Sequence, residues 1–180
     1  MVRSWLLGLA GLALLSCHSP GQYGHSRVYA PLSAEADALE KTKEYDPVMV
    51  QRKPEDFKGK PLSFFGVVLS RTEGAGGTAR LKLSLRTLEP RNLCESKDED
   101  SCRVTVSDRE HAIAHALVKL SEDDNIGKLS VGTGSLVRIV GQIGDEVDPN
   151  DGAPVLRASY YRHWPRNFYV TTASRAHMLR

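Results

Sequence analysis

"GSLVRIVGQI", residues 134–143, is the stretch on which the fold turns. Val137, Ile139 and Ile143 fall on alternate positions, the period of a strand with one buried face. Gly141 interrupts that strand, and a glycine inside a strand marks a bulge or a sharp bend. "PLSFFGVVLS", 61–70, is a second run rich in aromatic and β-branched residues, with Gly66 in the same situation. Two strands that must bend point to a small, closed sheet.

The neighbouring segments extend the pattern. In "TARLKLSLR", 78–86, Ala79, Leu81, Leu83 and Leu85 point one way, and Arg80, Lys82, Ser84 and Arg86 the other. That is a strand with one buried face and one basic, wetted face. "CRVTVS", 102–107, alternates again, with Val104 and Val106 inward. Asp108 then caps "REHAIAHALVKL", where Ala112, Ile113, Ala116, Leu117 and Leu120 recur at helical spacing and predict a helix. "DEVDPNDG", 145–152, is a turn, and "APVLRASYYRHW", 153–164, is the last strand before Pro165. Upstream, Ser33 is placed to cap a surface helix with Glu35 and Asp37 in its first turn, so 33–56 reads as an N-terminal helical segment and 57–180 as the folded domain.

The order over 62–164 is therefore strand, strand, strand, helix, strand, strand. Together with F-x-G-x-V (Phe64, Gly66, Val68) and G-S-x-V-R-I-x-G-x-I (134–143), it resembles bacterial OB-fold domains, including the exported tRNA-anticodon-like group. The resemblance implies a mainly β, five-stranded Greek-key barrel with one helix between its third and fourth strands. Such barrels bind ligands across strands two and three, which implies Arg80, Lys82, Arg86, Arg103 and Thr105 as ligand-facing residues.

The chain opens MVRSWLLGLAGLALLSC. Arg3 precedes an uncharged apolar run, Trp5 to Leu15, shorter than the roughly 20 residues of a membrane span. Leu14-Leu15-Ser16-Cys17 resembles the bacterial lipobox. That resemblance implies a leader over 1–16, a lipid on Cys17, a membrane as partner and, with His18 next, the outer membrane facing the periplasm. Residues 17–32, with Gly, Pro, Ser and His and no apolar period, read as a flexible tether. In an oxidising compartment the remaining pair, Cys94 and Cys102, reads as a disulfide closing the polar loop "ESKDEDS".

Composition narrows the function. The 24 Lys and Arg against 22 Asp and Glu leave no general electrostatic attraction for a polyanion. Glu110, His111 and His115 lack the order of a zinc-protease helix, and 145–152 lacks calcium-loop spacing. No Gly-x-Ser-x-Gly elbow or phosphate loop occurs, so no catalytic set, metal or cofactor is indicated. In "SYYRHWPRNFYV", 159–170, strand geometry sends Tyr160 and Tyr161 to opposite faces, with Phe168 or Tyr169 packing the tail over the barrel. The expected role is a non-enzymatic binding or envelope-structural module for a protein, peptide or glycan. The alternative is an OB-fold module for single-stranded nucleic acid.

Overall fold

A computed structural model describes residues 21–179. The leader over 1–16 and the proposed lipid site at Cys17 lie outside the described residues. No helix among the described residues is long and apolar enough to cross a membrane.

Chain order is α1 (Ser33–Leu39), β1 (Lys43–Glu44), α2 (Pro47–Arg52), β2 (Pro61–Glu73), β3 (Thr78–Arg86), β4 (Leu93–Cys94), β5 (Cys102–Val106), β6 (Ile113–Lys119), α3 (Glu122–Asn125), β7 (Leu136–Val147), β8 (Pro154–Trp164) and β9 (Tyr169–Thr171). Strands β2, β3, β6, β8 and β7 are joined in that order, and β2 pairs with β7 to close the ring. All these pairings are antiparallel except β6 with β8. This is the closed five-stranded Greek-key barrel of an OB-fold.

The alternations read from the sequence fill the barrel. Leu81, Leu83, Val137 and Ile139 are fully buried in one core with Leu62, Val68 and Leu156. Gly141 sits at a register shift between β7 and β8, and a Cβ there would meet the Arg157 carbonyl oxygen at 2.5 Å. The bulge needs a residue without a side chain.

The helix expected within 109–120 is a correction. Residues 113–119 form β6, the third barrel strand, and the helix that follows is the single turn α3. Ala114, Ala116 and Val118 alternate into the core, and the strand is paired on both edges, to β3 and β8. A segment apolar at nearly every position fits a helical and a strand period equally, and the long-range pairing decides. Residues 102–106 accordingly leave the barrel. As β5 they pair with β4 and β9 in a separate three-stranded sheet, where Cys94 and Cys102 are cross-strand partners bonded to each other.

That small sheet covers the outer surface of β2, β7 and β8. Val104 and Val106 form a second core with Phe65, Leu136 and Trp164, and Tyr23, Tyr29, Phe168 and Tyr169 pack around it. Tyr161 instead packs on the barrel core, so neighbouring rings of "SYYRHW" do part between faces.

Of the segment read as a tether, residues 21–32 are described, and they pack against the barrel. Trp164 Nε1 donates to the Tyr23 carbonyl at 3.1 Å, and Asn92 Nδ2 to those of Gly24 and Ser26 at 3.3 and 2.7 Å. Arg162, 3% exposed, donates to the carbonyls of Gln22 and Ala30. The helix α1 begins one residue earlier than a Ser33 cap would place it: Leu32 is its N-cap, and Glu35 accepts the Leu32 N–H at 3.1 Å. Glu35 is not on the surface. It is fully buried, taking Arg162 Nη1 on one oxygen at 2.8 Å and Arg138 Nη1 on the other at 3.0 Å.

Removing one member of a buried ion cluster strands the others. Glu35→Gln should therefore lower the unfolding free energy by about 3 kcal/mol, whereas the exposed Asp37→Asn should change it by less than about 0.5 kcal/mol. Chemical denaturation of the two variants checks this.

Candidate ligand-binding surfaces

The β3–β6 face is the surface an OB barrel offers to ligands. Register places Arg80 opposite Leu117 and Lys82 opposite His115, all on the outer side. The parallel β6–β8 pairing aligns His115 with Val155 and so brings the preceding turn, 148–153, over this face. The turn closes on itself through Asp148 N–H to Ala153 O and Gly152 N–H to Asp148 O, both at 2.8 Å.

Its carboxylates then take the basic residues. Arg80 donates to Glu146 at 3.0 Å and to Asp148 at 3.1 Å, and Lys82 pairs with Asp151 at 2.8 Å. His115 Nε2 lies 3.1 Å from Asp151 and is 6% exposed beneath the turn. The hydrogen bond from Lys82, then those from the Ala153 N–H and His115, hold the Asp151 carboxyl far below its ordinary range. Asp148 is also lowered, chiefly by the Asn150 N–H. Two motifs that sequence reasoning treated separately thus meet, His115 from one and Asp148 and Asp151 from the other. Their donor atoms lie within 4.8 Å of one another, as metal ligands would. Lys82 and Arg80 already neutralise both carboxylates, so the donor set does not fit a resident cation.

The other three expected ligand residues are elsewhere. Arg86 ends β3 and donates to the Asp108 carbonyl. Arg103 and Thr105 lie on β5, outside the barrel. Arg103 donates to the Asp100 and Cys102 carbonyls at 2.8 and 2.9 Å, and Thr105 is buried, accepting the Leu93 N–H at 2.9 Å. The five residues do not form one site.

Sequence reasoning missed a Ser–His–Asp chain. His163 Nδ1 donates to Asp124 Oδ1 at 2.7 Å, and its Nε2 faces Ser135 Oγ at 3.1 Å. Burial acts to raise Asp124, but hydrogen bonds from His163 and Tyr161 outweigh it and keep the carboxyl below its usual range. Ser135 is 3% exposed and its Oγ already accepts the Gly132 N–H at 3.2 Å. The adjacent cavity is lined by Asp124, Tyr161 and His163 but not by Ser135. The chain therefore fastens the 121–135 loop to β8 and presents no open nucleophile. No short motif spans three residues drawn from α3, the loop before β7 and β8.

No protein-family model and no curated protein sequence matches the chain. A solved structure of the small single-stranded DNA-binding protein from Streptomyces coelicolor is similar at 15% identity and a TM-score of 0.33, over 58% of this chain and 93% of that one. A likeness of that size carries no argument about ligand.

The acid turn makes its own prediction. Carboxyls lowered by folding add stability above the unfolded aspartate pKa of about 3.9, and that stability is lost as pH falls through their folded values. The Ala153 amide, which donates to Asp151 at 3.0 Å, should shift with a midpoint well below about 3.9 in an NMR pH titration. Lys82→Met should move that midpoint upward by removing its largest cause.

Proposed function

We propose that the chain is a non-enzymatic binding or structural module of the bacterial cell envelope, anchored by lipid on Cys17 at the outer membrane and facing the periplasm. Its partner is a protein, peptide or glycan. Leu14-Leu15-Ser16-Cys17 behind an uncharged run supports the anchor, and the Cys94–Cys102 bond suits an oxidising compartment.

The observation that carries the choice against nucleic acid is the seating of Glu146, Asp148 and Asp151 on Arg80 and Lys82. Phosphates would have to displace three carboxylates. Single-strand binders also need exposed rings for bases to stack on, and the outward positions Arg80, Lys82, His115 and Leu117 supply none. The buried Ser135 supports the non-enzymatic part of the reading.

The pinned segment bears on the anchor as well. Only four peptide steps separate Cys17 from Gly21, whose carbonyl Arg162 holds. At roughly 3.3–3.6 Å per residue the reach is about 14 Å, so the anchored barrel stays near the membrane surface.

Three measurements test this reading. Cys17→Ala should move the protein from the membrane to the soluble fraction, and unchanged fractionation refutes the anchor. Fluorescent oligo-dT should show no binding to the wild-type chain near physiological salt, since retention there restores the nucleic-acid reading. Hydrolysis of a nitrophenyl ester should be the same for wild type and Ser135→Ala, and a drop in the variant would make the chain an enzyme.

A further inference from the structure

A row of three side chains crosses the barrel beside the second core. Phe65 on β2 is the direct partner of Arg86 on β3 and of Arg138 on β7. Directly paired residues point to the same face, so two arginines flank one ring, with strand spacing putting their backbones about 10 Å apart. The Arg138 guanidinium lies over the Phe65 ring at 4.9 Å.

The charges in this region do not balance. Glu35 supplies one carboxylate to two guanidiniums, those of Arg138 and Arg162. Arg162 spends its remaining donors on the carbonyls of Gly21, Gln22 and Ala30. Arg138 does not: among the described residues its Nε is buried without a partner. Arg86 repeats the situation, giving Nη1 to backbone carbonyls while its buried Nε has no partner. Buried donors on cations are costly to leave unmatched.

Both arginines line one groove of about 710 Å³ between the end of β3 and the β1–α2 segment. Phe65 and Leu88 supply apolar surface on the side the two arginines share, and Glu44 and Asp46 stand on its wall. The guanidiniums call for an oxyanion, the apolar surface for a hydrocarbon body. The acidic wall repels a chain of many negative charges.

We propose that this groove binds a small amphiphilic anion, with its carboxylate or phosphate head between Arg86 and Arg138 and its apolar body over Phe65 and Leu88. This site goes beyond the anchored-module reading and does not depend on Cys17, so the unlipidated full chain carrying Cys17→Ala serves for the test.

Decanoate, decyl phosphate and decanol are titrated separately while the Arg Nε–H resonances are followed by NMR. Decanoate or decyl phosphate should shift the Arg86 and Arg138 signals with saturation, and the tighter of the two identifies the head group. Decanol should bind at least about tenfold more weakly, as expected when a charge-assisted contact is lost. Arg86→Gln should weaken the anions by a similar factor with an unchanged melting temperature, which guards against the structural role of Arg138. Equal binding of decanol and decanoate overturns the proposal. So does an Arg86→Gln variant of full affinity, or the same shifts produced by oligo-dT.

Discussion

One carboxylate, Glu35, sits fully buried between two guanidiniums where α1 meets the β7–β8 wall. Bringing three charges out of water costs several kcal/mol per ion, and their mutual attraction does little more than offset that. The cluster is therefore better understood as a device of registration. The outer surface of β2, β7 and β8 carries Phe65, Leu136 and Trp164, which must be covered. The cover on one side is the 21–32 segment, which has no regular secondary structure to satisfy its own carbonyls. Arg162 solves both problems at once. Its guanidinium answers the carbonyls of that segment and, through Glu35, fixes where α1 begins. Tyr29, whose phenol donates to the same Glu35, is pushed well above the usual phenol range by burial and then by that negative charge.

With the cover fixed, the accessible surface of the barrel follows. The β2–β7–β8 side is closed by the N-terminal segment and the small disulfide-bonded sheet. The β3–β6 side is closed by the acidic turn, through ion pairs rather than apolar contact. Two closures of opposite chemistry have different consequences. The apolar one opens only with the fold, whereas the ionic one depends on pH and salt. Between them, the end of β3 is left uncovered, and that is where Arg86 ends its strand.

Much of the barrel was legible because strand alternation is a local signal. Residues 78–86 and 134–143 declare their buried faces, and Gly141 declares its bulge, within ten residues each. Residues 113–119 did not, because Ala, Ile, Leu and Val at nearly every position erase the difference between periods 2 and 3.6. That error displaced the third strand and moved Arg103 and Thr105 onto the ligand face, where they do not lie. The packing of 21–32 was hidden for another reason. Its Gly, Pro and Ser content is that of a tether, and its partners stand about 140 residues away at Arg162 and Trp164. Opposite charge at 80–82 and 146–151 was visible as two patches, but only the parallel β6–β8 pairing makes them one contact.

The Ser135–His163–Asp124 chain shows what geometry alone leaves out. Its distances match those of an acyl-transfer triad, in which an aspartate orients a histidine and the histidine activates a serine. A nucleophile also needs an open approach to its oxygen and donors aimed at the developing oxyanion. Here the oxygen is buried, already accepts the Gly132 N–H, and does not line the cavity beside Asp124 and His163. Tyr161 donates to the other oxygen of Asp124 at 2.7 Å, which makes the carboxylate a junction between loop and strand. The same bonds that would orient a histidine for proton transfer serve here to hold α3 and the loop after it against β8. A buried polar chain with every member satisfied is stable and specific, and it secures the loop that links the third and fourth barrel strands.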